Sequence, residues 1–357
     1  MLYLPVTIML ILFSAMMFIH IIRSWNSETK TFWKKLNEIV YAFITLGFGL
    51  YYPLLILRLG KNHKGVVFST AVEELTFLGN LLILGVMMGI FAWAISAKIR
   101  TKLNPELLKT QNNYEVFCKE FLDEYPESSH LKRKITHILP VGVVTLCVII
   151  FYFLTFFDGA WIDYAMFFII IIIGIDFALT FLLQDLIRLF DFSFMPPNAI
   201  KMCKAGLTPD ELDSFTSTSV MVFSFGPFIF FSFPIFYIVI LITAVADAFA
   251  SMAGIIAKEK GVKHIFPKWS DKSIEGYIGG VISTFLCVLV AVGFSNLLGL
   301  SNWSWNIILT LGILLSVEFF LIDFITTKIQ LQDNYLNPFL MGFTSIAFLL
   351  FLNMPIF

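Results

Sequence analysis

The stretch Thr243–Gly280 reads TAVADAFASMAGIIAKEKGVKHIFPKWSDKSIEGYIGG, and its three parts have three different characters. Its first third is a helix of small residues in which Ala246, Ala250, Ala253 and Gly254 recur at helical spacing, with one acid, Asp247, beside them. A carboxylate in such an apolar helix faces the bundle and pairs with a cation or a metal, because facing lipid is costly. The middle is a polar loop, and five lysines fall between positions 258 and 272. The last third opens a new apolar helix with Lys272, Ser273 and Glu275 at its mouth and Gly276 and Gly280 behind them. A helix start beside a lysine is an anion site, since free backbone donors and the positive dipole end point the same way. The small-residue stripe and the glycine pair have a plainer use as well, which is to let helices pack closely.

The rest of the chain puts this stretch in a membrane. The 357 residues are 58% hydrophobic and 14% charged, with a mean hydropathy of +0.86. A soluble domain carries about 25% charged residues. The expectation is an all-α, polytopic transmembrane helix bundle of about ten spans, near 2–22, 38–57, 66–96, 135–157, 162–184, 215–231, 233–254, 275–298, 304–325 and 338–357. Spans six and seven are the tightest pair, because Val220–Ala250 is broken by Gly226-Pro227 and Pro234. Charge parity favours two crossings. With both termini on the non-cytoplasmic side, all of the 24 lysines and arginines except Arg58, Lys61 and Lys64 fall inside, as the positive-inside rule requires. The first run, Leu2–Ile22, reads as a retained span rather than a removable leader. Cys118, Cys147, Cys203 and Cys287 form no CxxC pair, so neither zinc nor redox chemistry is expected.

Between spans three and four, Tyr114, Phe117, Cys118, Phe121, Leu122 and Tyr125 recur at three- and four-residue spacing. This predicts an amphipathic helix serving as a lid over helix ends. Thr208-Pro-Asp-Glu211 has capping-box spacing and is expected to start the helix of span six. Near the end of the chain, Asn337 is expected to cap span ten and Pro338 to open it, leaving Asp333 and Asn334 as oxygen ligands.

Other chemistry-bearing residues lie at the same inner edge. Arg133, Lys134 and His137 sit three and four residues apart at the mouth of span four and can address one space. Glu318 and Asp323 precede the last loop within span nine, and each reads equally well as a metal-site partner or a salt-bridge partner. Asp176 stands mid-span without an evident partner, and Asp185 precedes Arg188 by three residues. His20, His63, His130 and His264 show no ligand spacing.

In order, Arg133-Lys134-x-x-His137, Asp247-Ala248-x-Ala250 with Gly254, Lys272-Ser273-x-Glu275-Gly276 and Asp333-Asn334-x-x-x-Pro338 resemble the motifs of the CTP-dependent lipid-alcohol kinases. That family includes dolichol kinase, phytol kinase and the fungal CTP-using diacylglycerol kinase. The resemblance covers about Leu131 to Phe343. It departs at Ala246, where the family usually has glycine, and at Asp185, where glutamate is common. It implies three regions: residues 1–97 as a three-span extension, 98–134 as a cytoplasmic amphipathic segment and 131–357 as a kinase-like catalytic core. It also implies transfer of the terminal phosphate of CTP to the hydroxyl of a membrane lipid alcohol, most simply a dolichol or polyprenol, with Mg²⁺.

On that resemblance Arg133, Lys134, Gly254, Lys263, Lys272, Ser273, Glu275 and Gly276 contact the nucleotide. Asp247, Asp333 and Asn334 hold the metal, and Asp247 or His137 acts as the base. The active site would lie on the cytoplasmic face of an endoplasmic reticulum or prokaryotic plasma membrane. The partners are then CTP, the lipid alcohol and the bilayer, with no nucleic acid; oligomeric state is left open. A more distant similarity, through the aspartate helix and Ser270-x-Lys272-Ser-x-Glu-Gly276, is to phosphatidate cytidylyltransferases. A reading of another class, an ion- or proton-coupled transporter, would use Asp176, Asp247 and Glu318 as a relay.

Overall fold

A computed structural model describes residues 3–28, 30–59, 69–125, 128–154, 162–270 and 272–354, without the side chains of 57–59, 69–73, 128–137, 162–164 and 205. Its helices are α1 (Leu4–Arg23), α2 (Phe32–Leu59), α3 (Ser69–Leu103), α4 (Leu107–Thr110), α5 (Tyr114–Glu124), α6 (Ser128–Leu154), α7 (Ile162–Phe190), α8 (Pro197–Gly206), α9 (Ser217–Phe225), α10 (Phe233–Leu241), α11 (Asp247–Glu259), α12 (Ile274–Leu297), α13 (Trp305–Ile329) and α14 (Asp333–Phe351). Among the described residues, the only β pairing is one isolated bridge. Among the described residues, eight helices are long and apolar enough to cross a membrane, so this is an all-α, multi-pass membrane protein. Two further apolar stretches, Ile138–Leu154 and Ser217–Phe230, are helical but shorter. The second is interrupted at Gly226, where Pro227 turns the chain into a 3₁₀ turn over Gly226–Phe230.

The chain forms two compact units. In the first, which holds α1 to α5, most of α7, and α8, the α1–α2 hairpin closes around a buried ion pair. Lys30 Nζ lies 2.7 Å from Glu38 Oε1 and also donates to Ser24 Oγ at 2.9 Å. The predicted amphipathic helix is α5. Its Phe117 and Phe121 pack with Phe192, Met195, Ala199 and Cys203 in one apolar cluster, so it covers α8 and the turn before it. Leu122 points away and is exposed. The capping box at Thr208 forms, but it opens only a 3₁₀ turn, Pro209–Glu211; the apolar helix waits until Ser217. Glu211 spans that gap, since one carboxylate oxygen accepts from Thr208 N and Oγ1 and the other from Ser217 N and Oγ. Arg188, fixed by Asp185 at 2.8 Å, donates to the carbonyls of Glu211, Leu212 and Ser214 in the same segment.

The second unit contains most of α6 and the helices from α10 to α14. From Phe233 to Glu259 the chain is one long helix whose middle, Ile242–Ala246, is a π turn. A π turn frees carbonyls from the α ladder, and α12 supplies donors to them: Ser283 Oγ reaches Ala246 O at 3.3 Å and Cys287 Sγ reaches Leu241 O at 3.7 Å. The small residues work as packing elements here. A Cβ placed at Gly279 would stand 2.8 Å from Ala253 Cβ, and one at Gly280 would stand 2.3 Å from the Phe319 ring. Helix α14 corrects an expectation. It begins at Asp333 with Gln332 as N-cap residue, so Asn337 and Pro338 lie inside the helix instead of capping and opening it. Proline is tolerated there because packed neighbours in a membrane bundle can satisfy the freed backbone groups.

Candidate functional site

The site is built at the N-terminal mouth of α12. Ser273 is the N-cap residue, and its hydroxyl accepts from Gly276 N at 3.1 Å. The cap is therefore Ser273 itself; Ser270 accepts from Lys272 N at 3.0 Å, and Asp271 lies outside the described residues. Gly254 of α11 and Gly276 both approach this hydroxyl so closely that a Cβ on either would meet it, at 3.3 and 3.4 Å. Two residues read from sequence as nucleotide contacts thus have a clear local use, which is to seat α11 against the first turn of α12.

The preceding loop is a hairpin closed by the Ile265–Ser273 bridge, with Phe266 N donating to Lys272 O at 3.1 Å and Ile274 N to His264 O at 2.9 Å. Glu275 reaches back across it. Its carboxylate accepts from His264 N, and His264 Nδ1 lies 2.6 Å from Glu275 Oε1. Eleven residues separate that pair, so helical spacing gave no sign of it.

Lys272 leaves this hairpin to donate to Asp323 Oδ1 of α13. Burial works against its charge, but Asp323, Asp333 of α14 and Asp247 of α11 together outweigh that, so its pKa lies above the ordinary lysine value. Asp247 is buried, and Asn334 is buried one position after Asp333. Three carboxylates from three helices thus act on one ammonium group at the foot of a fourth. Among the described residues, no three Asp, Glu, His or Cys side chains converge into a ready metal cage. The donor set nevertheless suits magnesium, which keeps several waters and binds through one or two carboxylates plus substrate phosphates.

An open cleft of about 530 Å³ adjoins the site, lined by Lys268, Trp269, Ser270, Lys272 and Thr327. Of its linings Ser270 and Lys272 were singled out from sequence; Lys263 is on the same loop but not on the cleft wall. Arg133, Lys134 and His137 belong to α6, and their side chains lie outside the described residues. Glu318 lies a turn and more from Asp323 and is engaged elsewhere, accepting from Thr344 Oγ1 at 2.9 Å.

Comparison with known proteins gives one match. The sequence model described as the cytidylyltransferase family aligns with residues 120–329, which is more than half of the chain. Neither the curated proteins nor the solved structures contain a match to this sequence. The aligned region takes in the π turn, the Asp247 helix, the lysine hairpin, the Ser273 cap and Asp323. A membrane-spanning bundle carries Asp247, Lys272 and Asp323 inside the matched region, with Asp333 just beyond it, and on that match the chain belongs to the cytidylyltransferase family, whose chemistry uses CTP.

Proposed function

We propose that this protein transfers the terminal phosphate of CTP to the hydroxyl of a membrane lipid alcohol, of the dolichol or polyprenol type, giving the lipid monophosphate and CDP. The observation that carries the reading is the convergence of Asp247, Asp323 and Asp333 on Lys272 at the start of α12. Phosphoryl transfer asks a protein mainly to position groups and offset negative charge. Lys272, at the positive end of the α12 dipole, addresses the triphosphate. Ser273, Gly254 and Gly276 hold the helix start in place. Asp247 and Asp333, with Asn334, would hold the metal, and Asp323 aims Lys272. Bound there, Mg²⁺ would neutralise charge on the phosphate oxygens. The lipid oxygen attacks the γ-phosphorus, the bond from that phosphorus to the bridging oxygen breaks, and the hydroxyl proton passes to Asp247 or His137.

The family match favours a second reading, in which the oxygen of a lipid phosphate attacks the α-phosphorus and pyrophosphate leaves. It gives no support to a transporter. Purified protein in detergent, with Mg²⁺ and either α- or γ-labelled CTP, is tested against polyprenols, phytol-type alcohols, diacylglycerol and phosphatidate. Lipid labelled from the γ position alone is the expected result. Label from the α position would establish the second reading, and no labelled lipid from either position would refute both.

A further inference from the structure

The cleft beside Lys272 has features that neither the motifs nor the proposed phosphate contacts account for. Ser270 N donates to Pro267 O at 3.0 Å, closing a turn with Lys268 and Trp269 at its two central positions. The Ile265–Ser273 bridge fixes the base of that turn, so both side chains project from a closed hairpin rather than from a slack loop. The indole of Trp269 packs edge-on against Phe324, with centroids 6.3 Å apart and an interplanar angle of 67°. Phe324 also packs against Phe266 and Phe320. Trp269 is thus held on one side while remaining 64% exposed.

The lining chooses among ligands. A volume near 530 Å³ falls within the range of small-molecule sites, about 300–1,000 Å³. Two lysines and two hydroxyls leave Trp269 as the one apolar wall, which suits neither an isoprenoid tail nor an acyl chain. A fixed indole face next to ammonium groups suits a flat polar ring joined to phosphates. Lys272 connects the two halves, since it lines this cleft and pairs with Asp323 in the carboxylate cluster.

We propose that this cleft binds the nucleotide: its pyrimidine stacks on Trp269, and Lys268 contacts the phosphates on the side opposite the carboxylates. Trp269 is then a binding residue of the CTP site, and the proposal rests on the CTP reading of the family.

The test is CTP binding to the full-length protein in detergent with Mg²⁺, measured by equilibrium dialysis with labelled nucleotide, for the wild type, W269F, W269A and K268Q. Stacking on an aromatic residue predicts that W269A weakens CTP binding roughly five- to hundredfold. W269F, which keeps a ring, should lose much less. K268Q should weaken CTP more than cytidine, because its contact is to phosphate. Wild-type binding with an unchanged W269A dissociation constant would overturn the proposal while leaving the CTP reading standing, and would make Trp269 a membrane-interface anchor. No CTP binding by the wild type would overturn both. Equal losses in W269F and W269A, with lowered thermal stability in each, would assign the ring to packing against Phe324 and refute the stacking role.

Discussion

Replacing Gly280 by alanine tests the packing that holds the site together. The new methyl group would stand 2.3 Å from Phe319 Cε1, 3.1 Å from its Cδ1 and 3.2 Å from Ala250 Cβ. Ordinary contact begins near 3.4 Å, so the ring edge must withdraw by about 1 Å. Phe319 is only 1% exposed and has no room to swing, so α13 must move with it. Overpacking of this kind costs about 1–3 kcal/mol. The movement has a second effect, because Asp323 lies one helical turn from Phe319 on the same face and would be drawn off Lys272. A displacement of about 1 Å at a positioned group can lower turnover by up to 10²-fold.

Phe319→Leu deletes the ring atom responsible for the 2.3 Å approach. The pair Gly280→Ala with Phe319→Leu should therefore be more stable than the sum of the single changes by at least about 1 kcal/mol. Unfolding in mixed micelles as SDS is raised, followed by circular dichroism, gives the four free energies of the cycle; CTP turnover is measured on the same preparations. A Gly280→Ala protein as stable and active as the wild type, or a strictly additive cycle, would refute the close α12–α13 contact as the device that sets Asp323.

Asp247→Asn should abolish transfer from CTP while the protein still inserts and elutes normally in size-exclusion chromatography; full activity would remove Asp247 from the metal and base roles. Because the pKa of Lys272 is raised, its favourable charge is fully present below the unfolded lysine value of about 10.4 and is lost only as pH rises through the higher folded value. Asp323→Asn should bring the alkaline limb of the rate profile to lower pH, and an unmoved limb would mean that Lys272 does not set it. Glu211→Ala removes the acceptor for both ends of the Thr208–Ser217 segment and should destabilise the protein by about 2–4 kcal/mol in the SDS titration; a loss below about 0.5 kcal/mol would refute its bridging role.

Local pattern carried the reading of the helices well. Among the described residues all ten apolar runs are helical for most of their length, eight of them long enough to cross a membrane, and the three- and four-residue spacing of Tyr114, Phe117 and Phe121 marks a real amphipathic helix. What that helix covers was hidden, since Phe192, Met195 and Cys203 come from a distant part of the chain. Pro338 misled because a proline after asparagine reads as a helix start, whereas α14 starts where Gln332 leaves extended backbone. Asp323 and Glu318 were indistinguishable as two acids in one span; only the fold gives Lys272 to the first and Thr344 to the second. His264 and Trp269 had no motif, because their roles come from a hairpin closed by backbone bonds. The π turn before Asp247 has no residue signature at all, being set by how α10 and α11 meet α12.

That turn makes the position of Asp247 a matter of chain length as much as of residue type. Five residues at the wider π pitch sweep about the rotation that four cover in an α-helix, so removing one residue between 242 and 246 would let the segment close to an ordinary α-helix with Asp247 still near Lys272. Inserting one more would turn everything after it by about 100° about the axis; the long apolar helix would survive, and the acid would leave its place beside Lys272. An insertion scan through this segment should therefore find a sharp loss of function where single deletions and conservative replacements of Ile242, Ala244 or Val245 are tolerated. Homologous enzymes can then lack one residue here without re-aiming the acid.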